Sequence, residues 1–166
     1  MSEQKNLPGN YSNDFRASRI LHLAMLTGMV LFALASVVII EFNTGAFLGP
    51  DKVKEYGIIF LAAAGIMAII CVMVAIVVYR KRTGEIKNIV NTLGDKLNQY
   101  RSALISYLAL CEAPGLFAVI AFLLTGDYKV LGITALMAGA MLMKRPTPQR
   151  IIADLELDWK EQQELL

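Results

Sequence analysis

Twenty-three consecutive residues, Gly57 to Tyr79, contain no Asp, Glu, Lys or Arg. A run of that length leaves few folds open, because a helix needs about 20 apolar residues to cross a ~30 Å hydrocarbon layer. Hydrocarbon offers no water to the backbone N–H and C=O groups, so such a run must satisfy them internally, as a helix. Ile20 to Ile40 and Ala103 to Leu124 repeat the pattern, and Tyr128 to Met143 is a shorter version of it. Only 18% of the chain is charged and 56% is hydrophobic, against about 25% charged in soluble domains. The expected fold is an all-α membrane protein with four transmembrane helices, arranged as two antiparallel hairpins with cytoplasmic helical extensions.

Too little chain lies outside these runs for a second domain, so residues 1–166 read as a single membrane domain. Residues 1–19 form a cytoplasmic tail, 80–102 a cytoplasmic amphipathic connector and 144–166 a cytoplasmic helical tail. The spans lie at about 20–40, 57–79, 103–124 and 128–143. The last is short, and a re-entrant or soluble-side course stays open for it.

Charge sets the expected orientation. Only Lys52, Lys54 and Lys129 of the 16 Lys and Arg residues fall on the side away from the termini. Excess Lys and Arg marks the cytoplasmic side, which puts both termini inside and suggests a bacterial inner (plasma) membrane. Arg80-Lys81-Arg82 follows a span directly and reads as a topology anchor, with no nucleic acid implied. The first apolar run lacks a cleavage site and is expected to remain as an anchor.

The chemistry of catalysis finds little here. Cys71 and Cys111 both lie within spans, without metal-ligand spacing, and read as small apolar fillers with no disulfide. His22 is the only histidine, expected as a wet side chain near the interface. No nucleophile–base set, Gly-rich phosphate loop or metal cluster is evident, so we expect no enzyme, cofactor or metal.

The remaining segments carry ordinary helix punctuation. Leu7-Pro8-Gly9 belongs to a flexible tail, and Ser12 or Asn13 can cap the first helix. Asn43-Thr44-Gly45 and Gly49-Pro50-Asp51 mark a loop. Ala62-Ala63-Ala64-Gly65 offers a close-packing seam between helices. Ile86, Ile89, Val90, Leu93 and Leu97 recur at helical spacing, which predicts that helices 2 and 3 project beyond the membrane and join near Gly94, or else a surface helix leading into helix 3. Thr125-Gly126-Asp127 is a tight turn. Thr147 then caps a helix that Pro148 opens, and Asp158 with Glu161 resembles a capping box. That tail is expected against the stalk or the lipid surface.

One polar residue interrupts the third span. Glu112 lies nine residues from its start, about 13 Å deep at 1.5 Å per residue. Insertion of an acidic residue at mid-helix costs about 2.5–3.5 kcal/mol, and desolvation favours its neutral form. Pro114 cannot donate to the Leu110 carbonyl, so Pro114 and Gly115 predict a kink. By depth, Thr27 and Thr134 are the candidate partners of Glu112 in an ion-binding or interhelical polar site.

The stretch Leu110-Cys111-Glu112-Ala113-Pro114-Gly115-Leu116-Phe117, continuing through Leu124, resembles the carboxylate-bearing helix of rotary ATPase proteolipids, the c-ring subunits. In that family the carboxylate binds the transported proton or sodium ion, a role the resemblance would give to Glu112. The second span lacks the family's repeated glycines and the connector lacks its Arg-Gln-Pro signature. An internal echo aligns Leu23–Ala33 with Leu108–Ala118 and sets Thr27 opposite Glu112, as a duplicated hairpin would.

The expected function is that of a small non-enzymatic integral membrane protein, an oligomeric or accessory subunit packed around Glu112. Proton or sodium translocation through Glu112 is the alternative. The expected partners are the lipid bilayer and further copies of the chain, or a larger membrane complex.

Overall fold

The computed structural model describes residues 9–42, 47–87 and 92–165. Among these there is no strand. Helix α1 spans Gly9–Phe42, α2 Pro50–Lys87, α3 Leu93–Thr125, α4 Tyr128–Met143, α5 Pro148–Leu155 and α6 Trp159–Leu165. Three helices contain stretches long and apolar enough to cross a membrane: Arg16–Phe42, Glu55–Lys87 and Leu93–Thr125. They point to an integral membrane protein. The 16 residues of α4 are apolar but shorter.

Helix α3 is the hub. Half of its most apolar window is buried, against 17% for α1 and for α2. α1, α2 and α4 each pack on α3, while α1 and α2 scarcely touch one another among the described residues. The packing is therefore three helices around one, where the sequence suggested two separate pairs. Across α3 and α4, Tyr107 meets Ala140, Gly115 meets Thr134 and Phe122 meets Tyr128, so the two run past each other in opposite directions.

Each outer helix meets the hub through a narrow stripe. On α1 the buried residues are Ser18, His22, Met29, Ser36 and Ile40, at steps of four and seven. On α2 the seam runs Gly57, Ala64, Ala68, Ala75 and Tyr79. Small side chains there let two backbones approach, the main route to packing where lipid removes the hydrophobic drive. The seam suggested at Ala62-Ala63-Ala64-Gly65 is corrected to this one. Ala62 and Ala63 are exposed and only Ala64 of the four is fully buried.

The long helices exceed the length that a hydrocarbon core requires. At 1.5 Å per residue the 38 residues of α2 extend about 57 Å, nearly twice a ~30 Å core. Its last turns and the first turns of α3 pack together as a helical stalk, with Ile86, Leu93 and Leu97 in one buried cluster. The join falls between Lys87 and Leu93, near Gly94, which is the second residue of α3. Thr92 caps α3, its hydroxyl donating to Asp95 Oδ2 at 2.7 Å and accepting from the Asp95 amide at 3.4 Å. Arg82 donates to the Ser106 hydroxyl at 2.9 Å and braces the stalk.

The C-terminal tail folds back onto the stalk. Thr147 caps α5 and Pro148 is its first residue, as expected. Glu161 accepts from the Asp158 amide at 3.1 Å, one half of a capping box, at the start of α6. Ile151, Leu155 and Leu157 are buried in the same cluster as Ile86, Leu93 and Leu97. Lys96 and Glu161 pair at 2.6 Å with both side chains mostly covered, whereas Lys87–Glu156 at 2.7 Å is more open.

At the opposite end Gly126 closes α3 in the left-handed region at φ 65°, and Asp127 caps α4. Phe47 and Leu48 donate backbone N–H groups to the carbonyls of Leu123 and Leu124 at 3.3 and 3.0 Å. Those carbonyls end a helix and have no intrahelical partner. The Tyr128 hydroxyl donates to Glu41, joining α4 to α1. α1 starts at Gly9, ahead of the cap expected at Ser12 or Asn13, and α2 starts at Pro50, earlier than the span boundary at Gly57. Asn43-Thr44-Gly45, Leu7-Pro8, Ile89 and Val90 lie outside the described residues.

Candidate functional site

Two polar constellations interrupt the apolar bundle. The first is the Glu112 region. α3 runs unbroken through Pro114, and Gly115 is the point where α1, α3 and α4 converge. A Cβ on Gly115 would run into the Met29 side chain at Sδ and stand 3.4 Å from Met137 Cβ, so an added methyl requires Met29 to shift. The Thr134 hydroxyl donates to the Gly115 carbonyl at 3.0 Å and fastens α4 there.

Glu112 itself stands apart. It is half-buried at the edge of an exposed stripe of α3 formed by Ile105, Ala109, Ala113 and Ile120. Among the described residues it makes no hydrogen bond or ion pair within the chain. Thr27 lies exposed on α1, about half a turn of the helix round from buried Met29. Thr134 spends its hydroxyl on Gly115. The trio expected from the sequence is not joined within one chain: Thr134 belongs to the Pro114-Gly115 junction, and Glu112 is left facing outward.

The second constellation was not foreseen, and it sits where the charge-free run of α2 ends. The Tyr79 hydroxyl donates to Asp154 Oδ2 at 2.5 Å and lies 3.2 Å from the Tyr100 hydroxyl. A phenol has one hydrogen; with Tyr79 giving it to the carboxylate, Tyr100 is the donor between the two rings. Tyr79 meets Tyr107 edge-on at 5.7 Å between centroids. On its face rests the Lys144 ammonium, 4.2 Å from the ring centroid, a cation–π contact. Burial pushes the Lys144 ammonium below its ordinary value; Asp154 pulls it back up, and Arg150 and Arg80 push it down again.

These groups line a cavity of about 300 Å³ between α2 and α4, bounded by Tyr79, Arg80, Tyr107, Lys144 and Arg150 at one end and by Val72, Ile76 and Met143 at the other. Arg150 also donates to the Met143 carbonyl, securing the end of α4. The sequence signal was present in Tyr79-Arg80 and Lys144-Arg145 as basic exits from two spans. Asp154, 75 residues from Tyr79, gave no hint of joining them.

His22 is corrected from its expected wet position. It is buried on α1, and its Nε2 donates to the Met141 carbonyl at 2.9 Å, tying α1 to the last turn of α4. Cys111 is buried and Cys71 half-buried, both as free thiols. Among the described residues no three of His, Cys, Asp and Glu come together as metal ligands would. No protein-family model, curated protein or solved structure matches the chain.

Proposed function

We propose that this protein is a small non-enzymatic membrane subunit that assembles with further copies of itself, or with a larger membrane complex, through the Glu112 face of α3. The observation that carries the reading is Glu112 without a partner in its own chain. A carboxyl group left in hydrocarbon without a hydrogen bond is costly. Ala109 and Ala113, one turn apart and exposed beside it, allow a second helix to approach closely enough to supply one.

The same reading takes α4 as a fourth span, with both termini cytoplasmic. Support comes from the tail: α5 and α6 pack on the α2–α3 stalk through Lys87–Glu156 and Lys96–Glu161, so α4 has to return to the end from which α3 departs. Its length of about 24 Å, from 16 residues, suits a slightly thinned layer.

Self-association measured in lipid bilayers by single-molecule photobleaching tests the proposal. Glu112→Gln keeps a donor and an acceptor and should keep the assembly. Glu112→Ala should weaken it, by about 0.6 kcal/mol if an average interhelical hydrogen bond is lost. A wild-type chain that is monomeric in bilayers, with no co-purifying membrane partner, would overturn it.

Ion translocation through Glu112 is the second reading, and the half-exposed position of the carboxyl favours it, since a carrier must be reachable from a neighbouring subunit. A hydrophobic carbodiimide separates the two. Labelling of Glu112 that sodium protects, or that alkaline pH abolishes, supports transport; an unreactive Glu112 supports assembly alone.

A further inference from the structure

The cavity beneath Tyr79 does not end at its basic rim. A second apolar cavity of about 420 Å³, lined by Gly65, Ala68, Ile69, Met73, Leu136 and Met137 among others, adjoins it and shares Val72. Together they make one groove between α2 and α4. Gly65 and Arg80 lie 15 steps apart on α2, about 22 Å, which is more than half of a ~30 Å hydrocarbon core. Arg80, Lys144 and Arg150 stand at one end; among the described residues the carboxylate acting on Lys144 is Asp154, already engaged by Tyr79.

We propose that this groove binds one anionic phospholipid per protomer. Its phosphate sits among Arg80, Lys144 and Arg150, and one acyl chain lies along Val72 toward Gly65. Charge complementarity selects the headgroup: three cations and one carboxylate leave a net positive pocket at the depth where a headgroup lies, and basic pockets between membrane helices are suited to anionic lipids. Continuity with the apolar groove selects a lipid over a free anion, because inorganic phosphate would leave the whole α2–α4 cleft unfilled. The bound phosphate also offers the crowded Lys144 and Arg150 the counter-charge that the protein itself supplies only through Asp154. This site is separate from Glu112 and independent of self-association. It rests only on α2 and α4 sharing the bilayer.

Native mass spectrometry of the full chain, released from bilayers of mixed phosphatidylglycerol and phosphatidylcholine, tests the assignment. The wild type should retain one phosphatidylglycerol per protomer in clear preference to phosphatidylcholine. Arg80→Gln, at an exposed position with no role in the tail, should weaken retention several-fold, and Lys144→Gln with Arg150→Gln by roughly tenfold or more. Val72→Trp leaves every charge in place but fills the groove, and should also abolish retention. Lys81→Gln with Arg145→Gln, basic residues outside the cavity, should leave it unchanged. Three results would overturn the proposal: equal retention of both lipids, equal loss in the Lys81/Arg145 variant, or complete displacement by inorganic phosphate. Should the Lys144/Arg150 variant fail to fold, Arg80→Gln and Val72→Trp still decide the matter. Lipid stoichiometry per protomer is read whether or not the chain associates, so failure here and failure of the assembly reading are separate outcomes.

Discussion

The Tyr79 hydroxyl and the Asp154 carboxylate meet at 2.5 Å, and this bond fastens the C-terminal tail to the foot of the α2 span. Tyr79 is buried and packs edge-on against two further tyrosines. A hydrogen bond to a charged acceptor contributes about 1.5–3 kcal/mol net. Tyr79→Phe keeps the ring and removes the donor, so it should loosen α5 and α6 by about that amount. Hydrogen exchange in Ile151–Leu157 should rise in the variant, while exchange around Gly115 should not. Unchanged protection of the tail would show that apolar burial of Ile151 and Leu155 alone holds it.

A methyl group on Gly115 should be accommodated only by displacing Met29. Its Cβ would run into Met29 Sδ, and overpacking a tight junction costs about 1–3 kcal/mol. Gly115→Ala should lower thermal stability in detergent, and adding Met29→Ala should restore part of the loss by vacating the space. Equal stability of wild type and Gly115→Ala would show that Met29 shifts freely.

The all-helical class and three helices apolar and long enough to cross a membrane were legible, because charge-free runs have one physical solution in lipid. So were the helix ends at Gly126, Asp127, Thr147 and Pro148, where caps act locally and leave a local signature. The faces of the spans were not. Ala62 and Ala63 look as good a seam as Ala64, since a helix apolar all round carries no polar side to orient it. Buried His22 escaped for a related reason: its acceptor is the Met141 carbonyl, and any residue at position 141 would present one. Tyr79 and Asp154 had no sequence relation at all. Glu112 stood out plainly as a residue, but its surroundings depended on which way α3 turned.

Lys144 gives a pH signature. Its folded-state value lies below the ordinary 10.5, burial being the largest cause. The unfolded chain therefore holds that proton more tightly, and stability should rise with pH in the window between the lowered value and 10.5. Lys144→Gln should be more stable than wild type below that window, with the difference closing as pH rises through it. Chemical denaturation of both proteins across mildly alkaline pH measures this; a difference that widens with rising pH would contradict it.

Topology has its own check. On the four-span reading, cysteines introduced at Asn43 and at Thr92, with Cys71 and Cys111 replaced by alanine, lie on opposite sides of the membrane. An impermeant thiol reagent on intact cells should label only the first. Equal labelling would remove the cytoplasmic assignment of the stalk and of both termini.

The central claim is that Glu112 faces another helix, and cross-linking at its neighbour tests it most directly. In the same cysteine-free background, Ala113→Cys lies on the exposed stripe beside Glu112, whereas Ile58→Cys lies on the exposed face of α2. Mild oxidation in native membranes should convert Ala113→Cys to a disulfide-linked dimer, or to an adduct with a defined membrane partner, and leave Ile58→Cys unlinked. Adding Glu112→Ala should reduce the yield, and Glu112→Gln should preserve it. An Ala113→Cys chain that stays unlinked, or links as readily as Ile58→Cys, would contradict the account.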